Sequence, residues 1–383
     1  MNRTIKFNKQ ELSGAFGDIG TDFPLIVAMI LAAGLHTPSV LIMFGVLQII
    51  TGMIYRMPMP VQPLKAMATL VIAQEIAGNV LLGAGLAIGV VMLLLSLTGA
   101  LGKLADIIPK AVIRGIQLGL GISLSMLAFK KYIPADGNAG YVLAFAVFVV
   151  IVVFIGNHKY PAALLAVLLG VVYAFIFKVD FQAIAADVGL NLPVFFVPTI
   201  EDVTKGFLLL ALPQIPLSLG NSILATRQVA EDLYPERKLT VRKIGLTYSL
   251  LNLIAPFFSG IPCCHGSGGM VGHYTFGGRT GGSVIIYGLL FIALGVFFGD
   301  SFKDIVQVFP LPVLGVILLF EGLALMLLVR DVVHEPKDFT IALLVGIIAA
   351  GLPYGFIISM VVGSVLYYLP LKMEVLHDLI KKK

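Results

Sequence analysis

The stretches RMPMPVQPLKAMA (Arg56 to Ala68) and GIPCCHGSGGMVGHYTFGG (Gly260 to Gly278) occupy matching places in the two halves of an otherwise apolar chain. Both are flanked by proline and interrupted by proline or clustered small residues, the pattern of a membrane helix broken part-way. An unwound peptide at membrane depth leaves backbone N–H and C=O groups unpaired, which a bilayer tolerates only where the segment is buried in protein or lines a polar cavity. In carriers built from inverted repeats that cavity is the substrate site, and the half-helix N-termini around it present a positive dipole to an anion. The two stretches predict a carrier with an anion as cargo.

The composition agrees: 58% of the 383 residues are hydrophobic, 12% are charged and the mean hydropathy is +1.00, against about 25% charged in ordinary soluble domains. This is an all-α polytopic membrane protein with no stretch long enough for a separate globular domain. The polar MNRTIKFNKQEL that precedes the first span does not read as a cleavable signal peptide. The net charge of +5 comes from basic residues in short loops beside apolar spans, so it reads as a signal of orientation and not of a nucleic-acid partner. Cys263 and Cys264, the only cysteines, are adjacent and do not form a disulfide framework. With no tryptophan, tyrosines such as Tyr132, Tyr160, Tyr367 and Tyr368 are expected to serve the interfacial belt.

A spanning helix needs about 20 apolar residues. Candidates fall near 13–34, 38–55, 60–75, 80–100, 110–130, 140–157 and 160–178, then near 206–226, 243–260, 264–278, 282–300, 310–329, 338–353 and 355–371. The third and tenth are too short and polar to cross alone and read as half-helices completed by extended strands. Two repeats of seven spans follow, 1–190 and 191–383. With both termini cytoplasmic, Lys103, Lys110, His158, Lys159, Arg227 through Lys243, Arg279, Arg330, Lys337 and Lys381 to Lys383 fall inside, as the positive-inside rule asks. Lys130 and Lys131 are the misfit. Residues 179–204, with Asp180, Asp187, Glu201 and Asp202, are expected to form an outer amphipathic connector.

An internal repeat supports the count. Pro109, Val112, Ile116, Leu118, Gly121 and Leu124 recur 201 positions later as Pro310, Val313, Ile317, Leu319, Gly322 and Leu325, and Pro58 matches Pro262. An odd number of spans per repeat inverts the second half, so the two half-helices meet N-terminus to N-terminus near the midplane.

Four stretches, FGDIGTDFPLIVAM from Phe16, PMPVQPLKAMA from Pro58, LPQIPLSLGNSI from Leu212 and PCCHGSGGMVGHYTFGGRTG from Pro262, together resemble the molybdate transporter family related to the sulfate permeases. The resemblance covers nearly the whole chain. It implies molybdate uptake and, through sulfate permease and uracil permease relatives, a fourteen-helix fold of two inverted repeats divided into core and gate domains. The C-terminal regulatory domain usual in sulfate permeases is not expected after HDLIKKK.

A tetrahedral dianion needs converging N–H donors, hydroxyls and at most a cation, which helix N-termini supply. In the first broken helix Pro63 suits the first turn, Gln62 offers an amide donor, and the N–H groups of Leu64 and Lys65 are expected to be free. In the second, His265, Gly266, Ser267 and Gly268 let backbone approach the anion, and Ser267 adds a hydroxyl. The competing reading of these glycines is tight helix packing. On the eighth span Gln214, between Pro213 and Pro216, and Asn221, seven residues on, offer amide donors; proton-coupled nucleobase relatives tend to carry a glutamate where Gln214 stands. Ionisable groups inside spans are functional candidates by default. Lys65 is the expected counter-charge, either for the anion or in a structural ion pair. Asp18, Asp22 and Glu321 are the candidates for coupling to protons, with a cap or turn role as the alternative for Asp18. Arg114 lies near the start of the fifth span, and Arg279 is expected to cap the tenth helix.

Other functions are weaker. His265 and His273 lack companion carboxylates for a metal site, no cofactor is called for, and no GxxxxGK[ST] motif marks an ATP-driven pump. An enzyme using Cys264 and His265 is disfavoured because adjacent side chains point apart and no third group orients them. The expected protein is a secondary active importer of molybdate in the cell membrane, coupled in one scheme to protons, with a homodimer compatible. Its rivals are a sulfate or other oxyanion carrier and a proton-coupled nucleobase permease.

Overall fold

The computed structural model describes residues 4–101, 103, 109–154, 162–177, 189–308 and 310–369. His158, Lys159, Tyr160, Asp180, Asp187 and Lys381 to Lys383 lie outside the described residues. Fifteen helices and two short strands are described: α1 (Lys9–Ala15), α2 (Ile19–Ala33), α3 (Thr37–Tyr55), β1 (Val61–Pro63), α4 (Lys65–Gln74), α5 (Gly78–Thr98), α6 (Lys110–Leu127), α7 (Gly137–Phe154), α8 (Ala162–Phe177), α9 (Ile200–Leu233), α10 (Val241–Ile254), β2 (Cys263–His265), α11 (Ser267–Thr275), α12 (Gly282–Val308), α13 (Leu311–Leu327), α14 (Pro336–Gly351) and α15 (Gly355–Tyr368). Among the described residues six helices are long and apolar enough to cross a membrane alone: α3, α5, α6, α7, α9 and α13.

Local chemistry sets the helix ends. Thr199 and Asp202 form a reciprocal capping box at the start of α9, Thr240 caps α10 through the Lys243 N–H, and glycines at positions 34 and 99 close α2 and α5 in left-handed conformation. Four residues other than glycine, Arg56, Glu75, Ser259 and Tyr354, also adopt positive φ of 52–55°, a conformation that costs of order 1 kcal/mol without glycine. Arg56 and Ser259 sit at equivalent places, each turning the chain just before a broken segment.

The structure departs from the sequence reading in five places. The first span is not one helix: Phe16 to Asp18 separate α1 from α2. The eighth is a continuous helix in which the prolines are accommodated by π-helical stretches at Phe207–Ala211 and Ser218–Leu224, since a widened turn can absorb the missing N–H. Glu201 and Asp202 belong to α9 and not to the connector, whose described part, 189–199, runs extended and is pinned by backbone bonds to Val296, Phe297 and Phe257. Tyr132 is buried and serves no interfacial belt. Lys131 forms an ion pair with Glu75 at the end of α4, which gives this misplaced charge a partner.

Helix packing separates two bundles. In one, α3 lies along α12, α5 lies along α10 and α9, and α1 packs on α12. In the other, α6 packs on α13, α14 and α15, and α13 packs on α7 and α8. Small residues bring the helix backbones together, as is usual in membranes: a Cβ on Gly121 would strike the carbonyl oxygen of Gly322, and one on Gly322 would meet that of Gly121. The half-helices α4 and α11 belong to the first bundle; α4 also packs on α6 of the second, which reaches the site through Leu328, just beyond α13.

Candidate functional site

β1 and β2 pair antiparallel, Val61 opposite His265, Gln62 opposite Cys264 and Pro63 opposite Cys263. Leu64 N–H donates to the Pro262 carbonyl at 3.2 Å and Gly266 N–H to the Pro60 carbonyl at 3.3 Å, closing the pair at both ends. Two strands cannot satisfy all their own backbone groups, and the outer edges are met by carboxamides. Gln48 of α3 donates Nε2 to the Val61 carbonyl at 2.7 Å and accepts its N–H at 2.9 Å. Asn252 of α10 does the same for Cys263, at 2.7 and 2.9 Å. Both clamps are buried. The sequence reading missed them; a lone Gln or Asn inside an apolar span at equivalent places of the two halves was the available signal.

The two half-helices leave this pair and begin around a cavity of about 250 Å³. Gln62 and Lys65 line it from the first broken segment, His265, Gly266, Ser267 and Gly268 from the second, and Gln214 and Asn221 from α9. Leu217, Ser222 and Cys264 complete the wall with Leu328, just beyond α13, from the other bundle. Of the nine expected binding residues only Leu64 is absent from the lining, and its N–H is already spent on Pro262.

The donors are arranged unequally. At α4 the Gln214 Oε1 accepts from Ala66 N–H at 2.9 Å and Met67 N–H at 3.2 Å, so this side chain caps the half-helix. Its Nε2 donates to Ser218 Oγ at 3.0 Å, which meets the Tyr248 hydroxyl at 2.8 Å. In this arrangement the Gln214 oxygen holds helix donors and one N–H of its amide is engaged, leaving the second. Gln62 donates Nε2 to both carboxylate oxygens of Asp18, at 2.8 and 2.7 Å. At α11 no side chain caps the helix, and the N–H groups of Ser267, Gly268 and Gly269 have no protein acceptor among the described residues. Asn221 and Ser267 side chains also make no hydrogen bond there, and Lys65 no ion pair. The open donors thus come mainly from the second half-helix, where helix dipole and free N–H groups coincide.

Two glycines are required by close approach. A Cβ at Gly266 would overlap the Gln62 side chain, and one at Gly269 would overlap Asp18 Oδ2. Gly266 thus permits the contact between the broken segments and also lines the cavity. Gly268 has nothing within 4 Å of an added Cβ.

The other expected residues sit behind or beside the cavity. Asp18 occupies the cap position of α2 without capping it, and Asp22 follows one turn later, its N–H donating to the Asp18 carbonyl at 3.1 Å. Glu321 of α13 lies within electrostatic reach of Lys65 and Asp18. None of the three lines the cavity. His265 Nε2 meets Thr247 Oγ1 at 2.7 Å and its ring stands edge-on to Tyr55, while Cys264 is engaged by Ser222, so no Cys–His dyad forms. Among the described residues no three His, Cys, Asp or Glu side chains gather to hold a metal. Arg279 donates to the carbonyl of Tyr274 in the last turn of α11 and to that of Gly278 beyond it, and covers the Tyr274 ring at 3.6 Å, and Arg114 pairs with Asp331.

A family profile described as "Molybdate transporter of MFS superfamily" matches residues 10–124 and 206–325, more than half of the chain. The chain belongs to the molybdate transporter family. Molybdate transporter 1 of Arabidopsis thaliana is 32% identical over 96% of this chain and 89% of its own length, and Molybdate transporter 2 of the same plant is 32% identical over 86% and 80%. Molybdate transporter 1 of Chlamydomonas reinhardtii is 26% identical over 92% and 90%. Members of the molybdate transporter family are transporters by name, and this one is not an enzyme. The fold is similar to the transmembrane domain of the cyanobacterial bicarbonate transporter BicA, with a TM-score of 0.68 at 18% identity over 94% of this chain and 97% of that one. It is also similar to the murine anion transporter Slc26a9 in its inward-facing state, with a TM-score of 0.67 at 13% identity over 95% and 68%.

Proposed function

We propose that the protein is a secondary active transporter that imports molybdate across the cell membrane, the oxyanion binding in the cavity between β1–α4, β2–α11 and α9. The observation that carries this reading is the uncapped N-terminus of α11, whose N–H groups of Ser267, Gly268 and Gly269 are open beside a polar cavity, while both backbone groups of Val61 and of Cys263 are held by the Gln48 and Asn252 side chains. Ser267 Oγ, the Asn221 amide and the Lys65 ammonium complete the donor set. Three carboxyl groups, Asp18, Asp22 and Glu321, stand around one lysine, so a dianion entering without protons would meet net repulsion. Proton symport relieves it.

The pairing of α3 with α12 and of α5 with α10, and the mutual contact of Gly121 with Gly322, support two inverted seven-span repeats at 1–190 and 191–383, with the two bundles acting as core and gate and both termini cytoplasmic. Residues one repeat apart touch where a two-fold axis passes between them. The test is uptake into proteoliposomes of radiolabelled molybdate, sulfate and uracil, with and without an inward proton gradient. Molybdate accumulation that excess sulfate fails to suppress is expected. Uptake of sulfate or uracil in preference would sink the molybdate reading.

A further inference from the structure

A second group of buried polar side chains is not used by the binding site. Asp22 is 1% exposed and neither carboxylate oxygen has a hydrogen-bond partner among the described residues. His273 of α11 and Tyr287 of α12 are 0% exposed, and both ring nitrogens of the one and the hydroxyl of the other are likewise without partners there. The two rings stand edge to face at 5.8 Å, and Phe44 and Phe291 pack on Tyr287 at 6.3 and 5.0 Å. Five orphaned polar atoms in one apolar region are far from ordinary, since buried polar groups are almost always paired.

The two aspartates are treated differently by their surroundings. Asp18 receives the Gln62 amide on both oxygens. Asp22 receives no donor, so a charge there would be both desolvated and bare. Asp18 stands one helical turn before it, at the cap position of α2. A neutral Asp22 can give its O–H to the Asp18 carboxylate, and the pair then holds one proton between them. The other titratable groups facing Asp22 are Lys65 of α4, Glu321 of α13, Tyr287 of α12, and Cys263 and Cys264 of β2.

We propose that Asp22, and not Asp18, carries the co-transported proton, with Tyr287 and His273 as further buried polar groups held without partners, while Asp18 and Gln62 relay its charge state to the oxyanion cavity. Asp22 takes one proton from the outer solution as the O–H of a neutral acid and releases it to the inner solution, so each cycle moves one proton through this group. With the proton on, the Asp18–Gln62 contact presents one negative charge fewer to the incoming dianion. The inference rests on the proposed proton-coupled molybdate uptake and adds the site of the proton.

The experiment measures molybdate in proteoliposomes with the voltage clamped, both as accumulation driven by a proton gradient and as gradient-free exchange. Asp22→Asn is expected to keep exchange but to lose the roughly tenfold accumulation that a gradient of about one pH unit sustains for one coupled proton. Gradient-driven accumulation at the wild-type level in Asp22→Asn overturns the proposal and leaves molybdate transport standing. Wild-type uptake without any pH dependence also overturns it. A wild-type protein that does not transport molybdate removes the functional reading and this inference together. Tyr287→Phe, which deletes only the orphaned hydroxyl, decides the matter if Asp22→Asn does not fold: a displaced pH midpoint of uptake supports the proposal, and an unmoved one overturns it.

Discussion

Ser267 and Gly268 make opposite demands on the same place. Ser267 contributes a hydroxyl and an N–H, Gly268 only an N–H and space. Replacing Ser267 by alanine is expected to weaken molybdate binding by about 1–3 kcal/mol, the range for a lost hydrogen bond to a charged group, as read by calorimetry on the detergent-solubilised protein; wild-type affinity would move the site elsewhere. Gly268→Ala meets no neighbour, so the melting temperature should hold while the added methyl group obstructs the uncapped turn and lowers affinity. A fall in melting temperature without a change in affinity would show that Gly268 serves packing alone.

At the scale of elements, the half-helix α4 depends on a side chain from α9. Gln214→Glu keeps an oxygen on the Ala66 and Met67 N–H groups, where a carboxylate suits the helix dipole, but sets a negative charge beside the substrate. Retained thermal stability with markedly weaker molybdate binding is the expected pair of results, and unchanged affinity would mean that the anion sits far from Gln214. The strand pair depends on Gln48 and Asn252. Gln48→Leu strands both backbone groups of Val61, at about 1–3 kcal/mol each, so a fluorescence-detected melt should drop strongly. A melt like that of the wild type would show that the clamp is dispensable.

For the whole molecule, Glu75 and Lys131 join the end of α4 in one bundle to the end of α6 in the other. Both side chains are more than half exposed, and such pairs contribute little stability, so the contact matters as a marker of how the bundles sit. If transport slides one bundle against the other, a disulfide between Glu75→Cys and Lys131→Cys should stop uptake and a reductant should restore it; the native cysteines are buried. Full activity in the cross-linked protein would place the movement elsewhere.

The two broken segments, the helical membrane class and eight of the residues now found lining the cavity were legible in the sequence, because proline and clustered glycine in an apolar span have few other uses. What each polar atom is bonded to was not legible. Gln62 and Gln214 look like ligand donors in one dimension, and only the fold brings Asp18 to the amide nitrogen of the first and the α4 N-terminus to the oxygen of the second. The break at Phe16 to Asp18 had a signal in Gly17 and Asp18, poor helix formers that favour turns, and the sequence reading carried it only as the alternative cap or turn role of Asp18. Asp22, His273 and Tyr287 lie on three elements, and no spacing along a chain reports which side chains share a buried volume. Periodicity and helix-breaking residues are local properties, whereas hydrogen-bond satisfaction is settled by neighbours that tertiary packing brings from far along the chain, 44 residues between Gln62 and Asp18 and 148 between Ala66 and Gln214.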